Sequence, residues 1–242
     1  MATHTDPPPQ APSPYEPETE AIPDDGKPFH PALVVIDMQN DFVTGSLPVP
    51  GGASILPQVN DLIQLAKFEA RIATRDRHPT DHVSFAKTHE KPEFAKIVIY
   101  HPEDAKELLG KEQMLWPVHC VADTGGAEFI PGLVKDRFDA TIMKGTHPSI
   151  ESYSGFKDIW GRSETDLPGI LNERGVTDVF YVGLAGDFCV KYTALDSVEY
   201  GFRTWVVVDA VKSISQDEVA WNQMRDKGVR FTKTEDVKKR LA

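Results

Sequence analysis

The run Ala32-Leu-Val-Val-Ile36 is apolar at every position. A strand with one wet face alternates polar and apolar residues, so an unbroken branched run reads as a strand buried on both faces. Such a strand needs helices above and below it. The chain supplies them. Ser54 to Phe68 carries apolar residues at helical spacing, Arg71 to Thr74 is a weaker strand, and Ala140 to Met143 and Asp178 to Gly183 are further short strands. Residues 187–200 and 215–227 read as helices, with Thr204 to Val208 a strand between them. Strands that alternate with helices imply an α/β fold with a mostly parallel sheet. Residues 86–115 are polar and mixed and break this rhythm; they read as an insertion beside the sheet.

The first 30 residues are of another kind. Nine of the 19 prolines fall at or before Pro31, among six acidic residues and one lysine. This composition cannot bury enough apolar surface to offset the entropy of ordering, so residues 1–30 read as a disordered, Pro-rich acidic arm and residues 31–242 as one domain. The arm carries −5 of the chain's net charge of −11. An acidic chain is poorly suited to nucleic acid or an anionic membrane surface. No apolar run nears the roughly 18 residues of a membrane span. The N-terminus lacks a basic-then-apolar signal pattern, which leads us to expect a cytoplasmic protein. Two cysteines in such a chain read as reduced thiols.

Ligands of parallel α/β sheets bind beyond the carboxyl ends of the strands. The residues just past the strands here are Asp37, then Asp76 and His78, then Lys144, then the segment leading to Cys189. Cys189 stands between a strand and a helix, where the helix dipole and free N–H groups favour a thiolate and can also hold an oxyanion. Asp37 is placed to act as a general base, and the Lys144 ammonium could balance both anions. Each is ordinary in isolation: a capping Asp, a surface Lys, a small buried Cys. Asp76-Arg-His78, with His119 in Trp116-Pro-Val-His119, offers a carboxylate and two imidazoles to a divalent metal. His82, four residues beyond His78, competes for the same role, and Cys120 is a second candidate thiol.

Taken together and in order, five segments resemble the isochorismatase-like cysteine hydrolases, nearest their nicotinamidase/pyrazinamidase branch. They are Val35-Ile-Asp37-Met-Gln39-Asn-Asp41-Phe42, Thr74-Arg-Asp76-Arg-His78-Pro, Leu115-Trp-Pro-Val-His119-Cys-Val, Lys144-Gly-Thr and Gly183-Leu-Ala-Gly-Asp-Phe-Cys189-Val. The resemblance runs from residue 32 to about 210, and the 86–115 insertion is similar to that of the longer eukaryotic, especially fungal, members.

The resemblance implies a doubly wound domain with a six-stranded parallel sheet flanked by helices. It implies a catalytic triad of Asp37, Lys144 and Cys189, and one divalent metal, zinc first and iron or manganese next, on Asp76, His78 and His119. It also implies an oxyanion hole from the Ala185 and Cys189 amides beside a cis Leu184–Ala185 peptide, and a ring-binding pocket of Phe42, Trp116 and Tyr153. On that basis His82 drops to a minor candidate ligand, and Cys120 becomes a neighbour of His119 rather than a nucleophile. The implied reaction converts nicotinamide, or pyrazinamide, to the acid and ammonia through a thioester, as in NAD salvage. The implied partner is this small molecule, and a homo-oligomer is compatible with it. Two positions depart from the family pattern: Gly186 is smaller than usual and Phe188 lacks a tyrosine hydroxyl. Other readings are an N-carbamoyl or ureido-type amidase, a catalytically silent scaffold of the same fold, or a thiol redox protein with Cys120 as its second thiol.

Overall fold

The computed structural model describes residues 15–102 and 109–242. In chain order its strands and helices are β1 (Pro31–Ile36), α1 (Leu56–Gln64), β2 (Ala70–Asp76), β3 (Lys96–Ile99), β4 (Lys111–Met114), β5 (Ala140–Lys144), α2 (Leu167–Glu173), β6 (Asp178–Leu184), α3 (Cys189–Glu199), β7 (Arg203–Lys212), α4 (Val219–Asp226), β8 (Arg230–Thr232) and α5 (Thr234–Arg240). Six strands form one sheet in the order β5-β2-β1-β6-β7-β8. Every neighbouring pair in it is parallel. The continuously apolar run lies at its centre, with every residue of β1 buried.

Successive residues of β1 and β6 feed opposite sides of the sheet, as the two-residue strand period demands. Leu33, Val35, Phe180 and Val182 pack with Val59, Leu62 and Ile63 of α1 and Val237 of α5. Val34, Ile36, Val179 and Tyr181 pack with Leu171 of α2, Val190 and Ala194 of α3 and Met224 of α4. The chain winds outward from β1 through β2 to β5, then returns to β6 and winds outward the other way. That reversal opens a crevice beyond the ends of β1 and β6, where ligands of such sheets bind.

Several elements differ from expectation in extent. The helix expected over 54–68 ends at Gln64, and the one expected over 187–200 starts only at Cys189. β8 has three residues, and α5 buries only Thr234 and Val237, so neither has a pattern long enough to read from sequence. Within 86–115, β3 and β4 pair antiparallel as a separate two-stranded sheet, which is why that stretch breaks the βα rhythm.

Residues 15–30 belong to the segment expected to be a disordered arm. They form no helix or strand, in keeping with their prolines, yet they lie against the domain. The Tyr15 N–H donates to Gln216 O at 3.0 Å, and the Glu20 N–H donates to Phe231 O at 2.8 Å on the edge strand β8. Ile22 is buried, and the Arg240 guanidinium sits 4.4 Å from the Phe29 ring centroid. A few apolar residues are enough to hold an otherwise polar segment. The remainder of the expected arm, residues 1–14, lies outside the described residues.

Candidate active site

Three strand ends and one helix start meet in the crevice. Asp37 follows β1 directly, with its backbone at φ +46°, a left-handed conformation that aspartate tolerates better than most residues. Its Oδ1 accepts a hydrogen bond from Thr74 Oγ1 at 2.6 Å, and its Oδ2 lies 2.8 Å from Lys144 Nζ. Lys144, the last residue of β5, is buried and also contacts Asp76 Oδ1 and, at 3.3 Å, Cys189 Sγ. The ligating atoms of Asp37, Asp76 and Cys189 lie within 4.8 Å of one another around this ammonium.

Burial sets the electrostatics. It would strip the Lys144 proton, but Asp37 and Asp76 outweigh it and hold the ammonium well above the usual lysine value. Burial raises the Asp37 carboxyl above the usual carboxylate range despite Lys144. It also opposes the Asp76 carboxylate, yet there Lys144, His78 and His119 win, and the carboxyl falls well below that range. The Cys189 thiol is pushed well up by burial, against the pull of Lys144. It is therefore a protonated thiol beside a carboxylate with raised proton affinity.

On the other side of Asp76 stand two imidazoles. His78 Nε2 and His119 Nε2 lie 3.5 and 3.9 Å from Asp76 Oδ2. Their Nδ1 atoms are each 2.8 Å from a backbone carbonyl, Gly145 O for His78 and Pro117 O for His119. With Nδ1 against a carbonyl in both rings, each Nε2 faces Asp76, an arrangement that orients metal-binding histidines. The ligating atoms of all three side chains lie within 4.8 Å of one another. One carboxylate and two imidazoles suit a divalent transition metal. Gly145 belongs to this construction, because a Cβ there would meet His78 Cε1 at 2.4 Å.

His82 lies outside that trio. It is stacked on His78 at 4.2 Å, with Nδ1 2.7 Å from Ser84 Oγ and Nε2 3.3 Å from Ile150 O. Burial and the neighbouring His78 push its pKa down to about 3, so it is a neutral core histidine. Cys120 is a free buried thiol whose Sγ donates to Gly126 O at 4.0 Å.

A narrow cavity opens between these groups, lined by Asp76, His78, His119 and Cys189 and by Phe42, Leu47, Trp116, Tyr153, Phe188 and Ile214. Trp116 Nε1 donates to Tyr153 Oη at 3.0 Å, and the Trp116 and Phe188 rings meet edge-to-face at 4.7 Å. The Leu184–Ala185 peptide is cis. In the turn it opens, the N–H groups of Phe188 and Val190 donate to Ala185 O and that of Gly186 donates to Lys212 O. The Ala185 and Cys189 N–H groups have no hydrogen-bond acceptor among the described residues.

The ten residues that the family resemblance assigned to the site therefore lie together around one crevice, and His82 and Cys120, also singled out in the sequence, lie beside it. Sequence reasoning passed over others. Gln39 donates to Asp76 O and accepts from the Asp76 N–H, both at 2.8 Å, and so fixes the backbone of that residue. Gln39 and Thr74 lie inside the recognisable motifs, where their residue type was the only signal. Glu151, a buried carboxylate in the cavity wall held by the Ser152 N–H at 2.8 Å, had no local signal at all.

Residues 31–236 match the isochorismatase domain family. The nicotinamidase of Saccharomyces cerevisiae is 36% identical over 201 residues, 80% of this chain and 93% of that one. A solved nicotinamidase/pyrazinamidase of Acinetobacter baumanii superposes with TM-score 0.78 at 40% identity, covering 87% of this chain and 99% of its own. A pyrazinamidase of Pyrococcus horikoshii solved in complex with zinc superposes with TM-score 0.66 at 37% identity, covering 84% and 99%. With Cys189, Asp37, Lys144 and the Asp-His-His trio assembled at the switch point of the sheet, this chain belongs to the isochorismatase family, in its nicotinamidase branch.

Proposed function

We propose that this enzyme hydrolyses nicotinamide to nicotinate and ammonia, a step of NAD salvage, and that pyrazinamide is also a substrate. The observation that carries the reading is that Cys189 and an Asp-His-His trio line a single cavity together with Phe42, Trp116, Tyr153 and Phe188. A cysteine hydrolase of this fold needs only the thiol and its acid–base partners. The trio and Trp116 add what recognition of a pyridine carboxamide calls for, and they weigh against an N-carbamoyl or ureido substrate.

Asp37 accepts the proton of the Cys189 thiol, and the thiolate attacks the carboxamide carbon. The N–H groups of Ala185 and Cys189 receive the oxygen as it becomes an anion. Asp37 then passes its proton to the departing amine; the C–N bond breaks, ammonia leaves, and a thioester remains on Cys189. Asp37 takes a proton from the incoming water, whose oxygen forms the new bond to carbon, and the thiolate departs as nicotinate is released. Lys144 remains charged throughout and balances Asp37 and the thiolate in turn. Phe42, Trp116 and Tyr153 hold the ring so that its carboxamide meets the sulfur, a gain from positioning. A divalent ion on Asp76, His78 and His119 would supply Lewis acidity, for which the nitrogen of a pyridine ring is a fitting ligand. Zinc is the ion we favour, with iron and manganese next. The setting we favour is the cytoplasm, in keeping with two free thiols; no helix among the described residues is long and apolar enough to cross a membrane.

The test is ammonia release from nicotinamide, pyrazinamide and a carbamoyl amine, before and after chelation. We expect turnover of the two ring amides, lost when the metal is stripped and restored by zinc, manganese or iron. Turnover of the carbamoyl amine alone would overturn the substrate assignment. Full activity in protein shown to be metal-free would overturn the role given to the trio.

A further inference from the structure

The turn that carries the nucleophile is fastened to the loop after β7. The Gly186 N–H donates to Lys212 O at 2.8 Å. The Ile214 and Ser215 N–H groups donate to the two oxygens of buried Asp187, at 3.0 Å to Oδ1 and 2.7 Å to Oδ2. The far end of the loop is tied as well, with Gln216 Nε2 donating to Ser213 O at 3.0 Å and the Val219 N–H, at the start of α4, donating to Asp217 Oδ1 at 2.9 Å.

The two segments approach so closely that a Cβ on residue 186 would stand 2.4 Å from Ser213 Oγ and 2.8 Å from Val211 Cγ1. Ser213 Oγ is buried and makes no hydrogen bond, so it could rotate aside. Val211 is a buried residue of β7 and has nowhere to go, so the turn and the loop would have to part. Ile214, whose backbone this fastening positions, forms part of the wall of the Cys189 cavity together with Phe188.

We propose that Gly186 and Asp187 act as a clasp that determines specificity. The missing side chain at 186 lets the loop close, the Asp187 carboxylate locks it, and Ile214 is thereby held in the cavity wall, limiting the ring that fits to a small unsubstituted one. This rests on the nicotinamide reading and deepens it. Asp187 and Gly186 are positioning residues; Ile214 is the one that meets the substrate.

The test compares kcat and KM for nicotinamide with those for a set of ring-methylated nicotinamides, in the metal-loaded full chain and in Ile214→Ala, Gly186→Ala and Asp187→Ser. We expect Ile214→Ala to raise the kcat/KM ratio of at least one methylated amide over nicotinamide by about tenfold, the scale on which a pocket discriminates one methyl group. Gly186→Ala and Asp187→Ser should move the same ratio in the same direction, mainly through KM. A purely structural role would lower both substrates alike and leave the ratio unmoved. Ratios within twofold of the parent in folded variants would overturn the clasp, and if Gly186→Ala fails to fold, Ile214→Ala and Asp187→Ser decide. Absence of nicotinamide turnover in the parent protein would instead overturn the proposed function, and the clasp with it; turnover in the parent with unmoved ratios overturns the clasp alone.

Discussion

Cys189 and Cys120 are both free, both buried, and both pushed well above the ordinary thiol pKa by burial. What separates them is their company. Cys189 opens α3, with Lys144 Nζ 3.3 Å away and Asp37 in the same cluster. Cys120 adjoins His119 in sequence, but its sulfur faces a backbone carbonyl at 4.0 Å. The thiol we propose as the nucleophile is the one in direct contact with a buried ammonium, and neither burial nor adjacency to His119 along the chain gives Cys120 that contact.

The comparison breaks most sharply at Cys189→Ala. Removing the proposed nucleophile should lower ammonia release from nicotinamide by roughly 10⁴-fold or more while leaving the fold intact. Parent-like turnover in a folded variant, checked by circular dichroism, would mean that the two thiols are not different in kind.

Lys144→Met tests the charges that set the two apart. It leaves two buried carboxylates, Asp37 and Asp76, without their shared cation. Loss of one partner from a buried pair costs about 3–5 kcal/mol, so denaturant unfolding should shift by about that much. Activity should fall with it, by on the order of 10²–10⁴-fold, as when acid–base support is removed. An unchanged unfolding midpoint would show that the ammonium is not the counterion to both acids.

Cys120→Ser should matter least. Activity should remain near the parent value, with a stability cost of about 1 kcal/mol for placing a hydroxyl in the buried site of a thiol. Complete loss of activity in a folded Cys120→Ser protein would revive a redox role for the pair.

The difference between the thiols was only half visible in the sequence. The strand–turn–helix setting of Cys189 could be read locally, because β6 is continuously apolar and α3 carries apolar residues at helical spacing. Asp37, Lys144, Asp76 and His78 could be read as strand-end residues for the same reason. Glu151, Leu47 and Ile214 could not, since each sits in a loop whose path depends on what it packs against. β8 and α5 escaped because three residues of an edge strand, or seven mostly polar ones, carry too little periodicity. Residues 15–30 were read as free because composition weighs the average of a segment, whereas Ile22 and Phe29 anchor it individually.

By itself the sequence determined the layer architecture, through apolar runs that only a sheet covered on both faces can bury, and it determined which residue types wait at the strand ends. Only the tertiary structure decided which of those residues meet. Asp37 and Lys144 lie 107 positions apart in the chain and 2.8 Å apart in space because β1, β2 and β5 stand side by side. His82 and Cys120 were excluded in the same way, by the partners that packing placed against their nitrogens and sulfur. Hydrophobic periodicity is a local property of a chain, whereas the proton affinity of a buried group is a property of everything around it.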